Sequence, residues 1–95
     1  MKFTHHYTKL DYPIFTTIRQ NKGYYYEGQE ILIREPKNEF KAEIVSIRKI
    51  KKQDITFIMA QRDADCHRKE LIEKLEKWYG NTYNDFILLT IMKIG

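Results

Sequence analysis

Apolar and charged residues alternate most clearly over residues 39–44, where every second position is apolar. A period of two predicts a β-strand with one buried and one solvent-facing side. After Val45 the alternation slips, because the next apolar residues, Ile47 and Ile50, are three positions apart. This slip predicts a bulge or a bend in the strand.

Three further segments have the composition of strands. Residues 14–19 are mainly β-branched and aromatic, and residues 31–33 form a short apolar run between two turns. Residues 86–92 are apolar at almost every position. Because a strand that is apolar on both faces is typical of the covered centre of a sheet, this last strand is predicted to be central and fully covered.

Two helices are predicted between residues 54 and 80. Asp54 is a suitable N-cap for a short helix that ends near residue 62. The inward-facing residues of this helix are predicted to be Ile55, Ile58 and Met59. The second helix carries an apolar stripe that consists of Leu71, Ile72, Leu75, Trp78 and Tyr79. Gly80 follows the stripe and is predicted to end the helix.

The predicted order of elements is three strands, two helices and a final strand. This order lacks the regular alternation of a doubly wound sheet, so the chain is predicted to belong to the α+β class. Its 95 residues are enough for one domain, spanning residues 1–95. A small curled or barrel-like sheet with two helices packed on it fits these elements best.

Composition excludes several classes of protein. Leu, Ile, Val and Phe make up about a quarter of the chain, which argues against intrinsic disorder. One cysteine excludes a disulfide framework and a zinc site made of several cysteines. No apolar run approaches the length of a membrane span, and the first residues lack the apolar core of a signal peptide. We therefore expect a cytoplasmic protein that does not associate with membranes.

The net charge of +4 is concentrated in the middle of the chain. Residues 36–60 hold six basic and three acidic residues, and four of the basic ones are Arg48, Lys49, Lys51 and Lys52. A local basic surface suits a polyanionic partner. The alternative interpretation is a solvated strand end whose charges bind nothing.

Candidate metal ligands are His5, His6, His67, Cys66 and the acids that precede Cys66. No metal-site spacing supports them, and adjacent histidines on a strand point to opposite faces. We interpret Asp63 and Asp65 as acids near the start of the second helix, where they cap amide groups and meet the positive end of the helix dipole. Cys66 is predicted to be a small buried or half-buried residue. No metal and no cofactor are expected.

Thr17 and Arg19 are two positions apart in the first predicted strand and therefore share a face. A hydroxyl and a guanidinium on one face can hold a phosphate or the edge of a base. The alternative is structural, with threonine pairing across strands and Arg19 bridging a nearby carboxylate.

Three consecutive tyrosines, residues 24–26, follow Lys22. Aromatic residues interleaved with basic ones are typical of single-strand nucleic-acid binding, because rings stack on bases while Lys and Arg follow the backbone. At least one of three consecutive strand residues must face inward, so at most two of the rings are expected to be free for stacking.

Two motifs resemble those of the ASCH domains in the PUA-like superfamily: FTTIR at residues 15–19 and, after a loop, YEGQEILI at residues 26–33. The long strand at 39–50, the helices after Asp54 and the closing strand at 85–94 extend the resemblance over nearly the whole chain.

This resemblance implies a PUA-like β-barrel of about five strands with two helices packed on it. It also implies a cleft near Thr17 and Arg19 and a role in RNA binding, often in connection with translation or RNA modification. Contacts to RNA would then come from this cleft and from the basic segment 48–52.

One bacterial branch of small ASCH proteins hydrolyses the amide of acetylated cytidine with a Lys, a Thr and a Glu. The resemblance aligns the Thr with Thr17, the Lys with Ile14, and the Glu with the region of Asp63 to Asp65. Isoleucine cannot activate a hydroxyl or hold an oxyanion, so the missing lysine argues against the hydrolase. If the chain is an enzyme, Thr17 is the nucleophile and Asp63 or Asp65 is the general base.

We predict a single-domain RNA-binding protein for single-stranded or structured RNA, as a monomer or a weak homodimer. The predicted RNA-contacting residues are Thr16, Thr17, Arg19, Lys22, Tyr24, Arg48, Lys49, Lys51 and Lys52. The alternatives are the small amidohydrolase, in which Lys9 or Lys22 replaces the missing lysine, and a protein-interaction module. The module would accept a partner strand at a sheet edge near residues 31–35.

Overall fold

The computed structural model describes residues 1–3, 7–64 and 66–94, apart from the side chains of residues 63 and 64. The described residues form four strands and two α-helices, with short 3₁₀ helices at Thr8–Asp11 and Lys52–Asp54. The elements are β1 Ile14–Gln20, β2 Glu30–Glu35, β3 Asn38–Ile50, α1 Phe57–Ala64, α2 Arg68–Tyr79 and β4 Phe86–Lys93. The strands and helices lie close to the segments that hydrophobic periodicity predicts, and the α+β class is confirmed.

The prediction of a closed barrel of about five strands is wrong. The described strands form one open antiparallel sheet in the order β1-β4-β3-β2. Closure would require the edges of β1 and β2 to meet, but the first residues of the chain run along β2. The Phe3 N–H donates to the Arg34 carbonyl at 2.7 Å, and the Arg34 N–H donates to the Met1 carbonyl at 2.8 Å. The predicted docking edge near residues 31–35 is therefore partly occupied by the chain itself.

The predicted irregularity in the third strand is confirmed. Pairing between β3 and β4 shifts register between Ile44 and Ser46, so Ile44 and Ile47 lie on the same face although they are three residues apart. This bulge determines to which face of the sheet each later side chain of β3 points. Lys49 shares the face of Ile44, while Arg48 lies on the opposite face.

Each face of the sheet carries its own core. The N-terminal face packs against residues before β1, and its buried cluster consists of Phe3, Leu10, Phe15, Ile33, Ala42, Ile44, Ile87, Leu89 and Ile91. The helical face packs against α1 and α2, and its buried cluster consists of Ile18, Ile50, Ile55, Ala60, Cys66, Leu71, Leu75 and Phe86. Strand β4 is central, as predicted, but the helices cover only one end of it. Met92 at the other end is consequently 38% exposed, so the strand is not fully covered.

The first helix begins later than predicted, because Thr56 and not Asp54 caps it. The Met59 N–H donates to Thr56 Oγ1 at 3.1 Å, whereas Asp54 Oδ2 accepts from the Lys51 N–H at 2.8 Å in the preceding 3₁₀ turn. Two of the three residues predicted to face inward do so, since Ile55 is buried just before the helix and Met59 packs against the helical-face core. Ala60 is buried, and Ile58, predicted to face inward, is 60% exposed.

The second helix ends at the predicted place. Gly80 follows α2 with φ of +90°, a conformation that favours glycine, and its N–H donates to the Glu76 carbonyl at 2.8 Å. Leu71 and Leu75 of the predicted stripe are buried, but Trp78 is 58% exposed. None of the described helices has both the length and the apolar character that crossing a membrane requires.

Candidate functional site

A cavity of about 220 Å³ lies beside β1, between the first residues of the chain and α2. β1 is an edge strand, so no neighbouring strand covers this side of it. The lining residues are Lys2, Phe3, Tyr7, Lys9, Thr17, Ile18, Arg19, Leu71, Lys74, Leu75, Trp78 and Tyr79. Three separate parts of the chain therefore contribute to one cavity.

Thr17 and Arg19 line this cavity together, and their predicted placement on one face is confirmed. Thr17 lies opposite Leu89 and Arg19 lies opposite Ile87, so both residues belong to the N-terminal face. Thr17 is only 2% exposed, whereas Arg19 is half-buried. The alternating pleat of β1 thus places a hydroxyl and a guanidinium next to each other at the cavity wall.

Basic and aromatic side chains are in direct contact at this wall. The Arg19 Cζ lies 4.7 Å from the centre of the Phe3 ring, and the Lys9 Nζ lies 5.2 Å from the same ring and 5.4 Å from that of Tyr7. Rings in such positions stabilise a cation with little surrounding water. Lys9 is accordingly 7% exposed, an unusual degree of burial for a lysine.

Arg19 has unused hydrogen-bonding capacity. Its Nε is buried and has no hydrogen-bond partner in the part of the chain that the structure describes. No ion pair with a carboxylate is present for it among those residues, so the structural alternative of a bridged arginine is not supported. A buried donor without a partner destabilises a fold by about 1–3 kcal/mol. Such a group is a candidate for binding an anionic ligand.

Tyr25 covers the same face near Arg19 and packs against its core. The pKa of Tyr25 is raised from 10.0 to about 12, mainly by burial and to a smaller extent by a hydrogen bond with the Tyr24 side chain and the proximity of that phenol. The positive charge of Arg19 acts in the opposite direction. Tyr24 and Tyr26 are 56% and 63% exposed, within the predicted limit of two, but the Tyr24 ring lies 4.5 Å from that of Tyr25.

The alkaline titration of the tyrosines should contain a component near pH 12 that belongs to Tyr25. Because the pKa of Tyr25 is higher in the folded than in the unfolded chain, its contribution to stability is complete below pH 10 and is lost as the pH rises toward 12. Tyrosinate absorbance should therefore lose this component in Tyr25→Phe and retain it in the exposed control Tyr26→Phe. An unchanged curve for Tyr25→Phe would contradict the assignment.

The other predicted RNA-contacting residues are dispersed. Lys22 and Tyr24 are exposed in the connection between β1 and β2, and Thr16 lies on the helical face, opposite Thr90. Arg48 and Lys49 point to opposite faces of the sheet. The basic segment 48–52 therefore does not form one surface with Arg19, although Lys49 shares its face.

Lys52 has a structural role. Its Nζ donates to the Asn81 carbonyl at 2.7 Å and lies 3.7 Å from a carboxylate oxygen of Glu76. Its backbone N–H donates to Asn84 Oδ1 at 2.6 Å. These contacts hold the end of β3 against the segment after α2, whereas Lys51 remains exposed.

Of the residues of the hydrolase alternative, the described part of the chain brings together Thr17 and Lys9. Ile14 lies on the opposite face from Thr17 and lines a second cavity of about 480 Å³. Its lining consists of Thr8, Lys9, Tyr12, Ile14, Phe15, Thr16, Gln61 and Arg62. Asp65 lies outside the described residues, and the side chain of Asp63 does as well. Of the two candidate lysines, Lys9 shares a cavity with Thr17 and the exposed Lys22 does not.

The predicted placement of the acids at the start of the second helix is wrong for Asp63. Its backbone belongs to the last turn of α1, and the N-cap position of α2 is His67. Cys66 is 8% exposed and carries no disulfide, so its predicted burial is confirmed. His5 and His6 lie outside the described residues. Within 1–3, 7–64 and 66–94, no three His, Cys, Asp or Glu residues are close enough to hold a metal ion.

Sequence reasoning missed most of the cavity, although it named Lys9 as a candidate lysine of the hydrolase alternative. Lys2, Lys9 and Tyr7 come from a segment in which no strand or helix is predicted. Lys74 and Trp78 are four residues apart in α2, so the sequence alone shows that they lie on the same side of the helix. Trp78 was instead assigned to the buried stripe.

Comparison of the chain with protein-family models, with curated proteins and with solved structures found no match. The resemblance to ASCH domains therefore stays a prediction.

Proposed function

We propose that this protein binds RNA, with the cavity around Thr17 and Arg19 as the principal contact site. The observation that carries the proposal is the convergence of basic and aromatic side chains on one cavity. Four of its described lining residues are basic and none is acidic: Lys2, Lys9, Arg19 and Lys74. Four are aromatic: Phe3, Tyr7, Trp78 and Tyr79.

This combination supports RNA over other anions of similar charge. Phosphates attract Lys and Arg irrespective of base sequence, while exposed rings stack on unpaired bases. Trp78 is 58% exposed at the cavity, so its indole is available for stacking. The buried Nε of Arg19 supplies a donor that a phosphate oxygen can accept from.

Lys49 extends the proposed contact surface beyond the cavity. Arg19 and Lys49 both lie opposite Ile87 on the N-terminal face, one on each side of β4. Two strand spacings separate them by roughly 10 Å. Lys49 is exposed, and we assign it a second phosphate contact on the same face.

Binding of a single-stranded RNA should weaken steeply with salt. With five phosphate contacts, from the four cavity cations and Lys49, the logarithm of the association constant should fall with the logarithm of salt concentration with a slope of about −3.5. Fluorescence anisotropy of an internally labelled oligonucleotide measures this slope. A flat response, or no binding at low salt, would contradict the proposal.

A matched pair of lysines on α2 tests the location of the contact. Lys74→Gln should reduce the slope by about 0.7, which corresponds to one lost contact to a single strand. Lys77→Gln removes an exposed lysine from the same helix that does not line the cavity and should leave the slope unchanged. Equal effects of the two variants would place the RNA elsewhere on the surface.

A further inference from the structure

Even without Lys9, the three other basic residues of the cavity carry more charge than one internal RNA phosphate. Lys2, Lys9, Arg19 and Lys74 line a volume of about 220 Å³, with no Asp or Glu among the described lining residues. Lys9 and Arg19 even contact the same ring, that of Phe3. An internal phosphodiester contributes a single negative charge, whereas a phosphate monoester carries about −1.5 to −2 at pH 7 and offers three acceptor oxygens.

Among the described residues, the other cations of the N-terminal face lie apart from this cavity, and one of them, Lys93, lies over the Phe40 ring at 4.6 Å. Lys49 is the next basic residue across the sheet, two strands away from Arg19, and Arg48 lies on the opposite face. Outside the cavity, Lys49 alone is assigned a phosphate contact, so most of the positive charge acts on one part of the RNA and not along its backbone. The distribution fits a ligand whose charge is concentrated at one point and whose uncharged part is aromatic.

We propose that the cavity binds a nucleoside phosphomonoester, as found at a phosphorylated end of an RNA strand. The inference rests on the proposed RNA binding and makes it specific for a terminal nucleotide. Arg19 contacts the terminal phosphate, with Lys2 and Lys74 at its periphery. Trp78 stacks on the base. A free nucleoside monophosphate presents the same chemistry.

The test compares one short, internally labelled RNA in four forms. These carry a 5′-phosphate, a 3′-phosphate, a terminal phosphate esterified with a methyl group, or hydroxyls at both ends. At least one phosphorylated form should bind at least tenfold more tightly than the hydroxyl form. The methyl ester should lose most of this preference, because esterification removes the second charge.

Competition with a nucleoside monophosphate and with the corresponding nucleoside identifies the source of the phosphate. The monophosphate should displace the labelled RNA, and the nucleoside should not. If the monophosphate displaces the RNA at concentrations similar to those at which the phosphorylated RNA binds, a free nucleotide is an equivalent ligand. If displacement needs much higher concentrations, the RNA end is the ligand.

The variants Arg19→Gln and Lys77→Gln complete the test. Arg19→Gln should abolish the preference for the phosphorylated end, whereas Lys77→Gln, outside the cavity, should preserve it. Equal binding of all four RNA forms would overturn this inference and leave RNA binding intact. Failure of every form to bind would contradict RNA binding itself, and the inference with it.

Discussion

Replacing Arg19 with methionine is expected to lower RNA affinity by about 10- to 100-fold, because a hydrogen bond to a charged group contributes about 1.5–3 kcal/mol. The same replacement should change the free energy of unfolding by less than about 1 kcal/mol. Methionine fills a similar volume and removes a buried Nε that has no described hydrogen-bond partner. The lost contact of the guanidinium with the Phe3 ring offsets part of this gain.

Binding and stability have to be measured on the same preparations to separate these two effects. Anisotropy titration gives the affinity, and urea denaturation gives the free energy of unfolding. Arg34→Met is the matched control, since Arg34 is also a strand arginine, and its exposed side chain pairs with Glu39 at 3.4 Å. We expect less than a twofold change in affinity for this control. If Arg19→Met lost stability in proportion to affinity, Arg19 would be a structural residue and not a binding residue.

Replacing Phe86 with alanine is expected to destabilise the fold by about 3–5 kcal/mol, the usual effect of removing a buried aromatic side chain. Phe86 is completely buried at the start of β4. Its ring makes edge-to-face contacts with Tyr83 at 5.2 Å and Tyr79 at 5.8 Å, and thereby joins the sheet to the end of α2. In a domain of this size, such a loss should lower the melting temperature by more than about 12 °C.

Phe57→Ala provides the comparison for this prediction. Phe57 is the first residue of α1 and is 55% exposed, with one tilted contact to His67 at 5.9 Å. Its removal should change the free energy of unfolding by less than about 1 kcal/mol. Thermal melts followed by circular dichroism distinguish the two variants. Similar melting temperatures would show that the aromatic contacts at Phe86 do not join α2 to the sheet.

Local patterns in the sequence predict the elements well where the physical cause is also local. Alternation over residues 39–44 and the slip after Val45 correctly predict a bulged strand, because side-chain direction depends only on neighbouring residues. Gly80 correctly predicts the end of α2, because its positive φ is a property of one residue. The position of Thr17 and Arg19 on one face follows from the same period of two.

The sequence-based predictions of helix start and of burial fail where two local signals compete or where burial depends on distant segments. Asp54 and Thr56 are both suitable caps, and the contact of Thr56 Oγ1 with the Met59 N–H decided the start of α1. Trp78 continues the apolar stripe of α2 by spacing, but it lines the cavity beside β1 and its ring remains exposed, whereas Tyr79 packs on Phe86. The spacing of residues 71–79 does not show that a cavity lies beside Trp78.

The sequence by itself determined the α+β class, the approximate limits of the strands and helices, and the common face of Thr17 and Arg19, because these depend on interactions between near neighbours along the chain. Only the tertiary structure decided that the sheet stays open, since the first residues of the chain occupy the edge of β2. The tertiary structure also decided which basic side chains line the same cavity. Lys9, Arg19 and Lys74 are far apart in sequence, and long-range packing of the N-terminal segment and α2 against β1 brings them to one cavity.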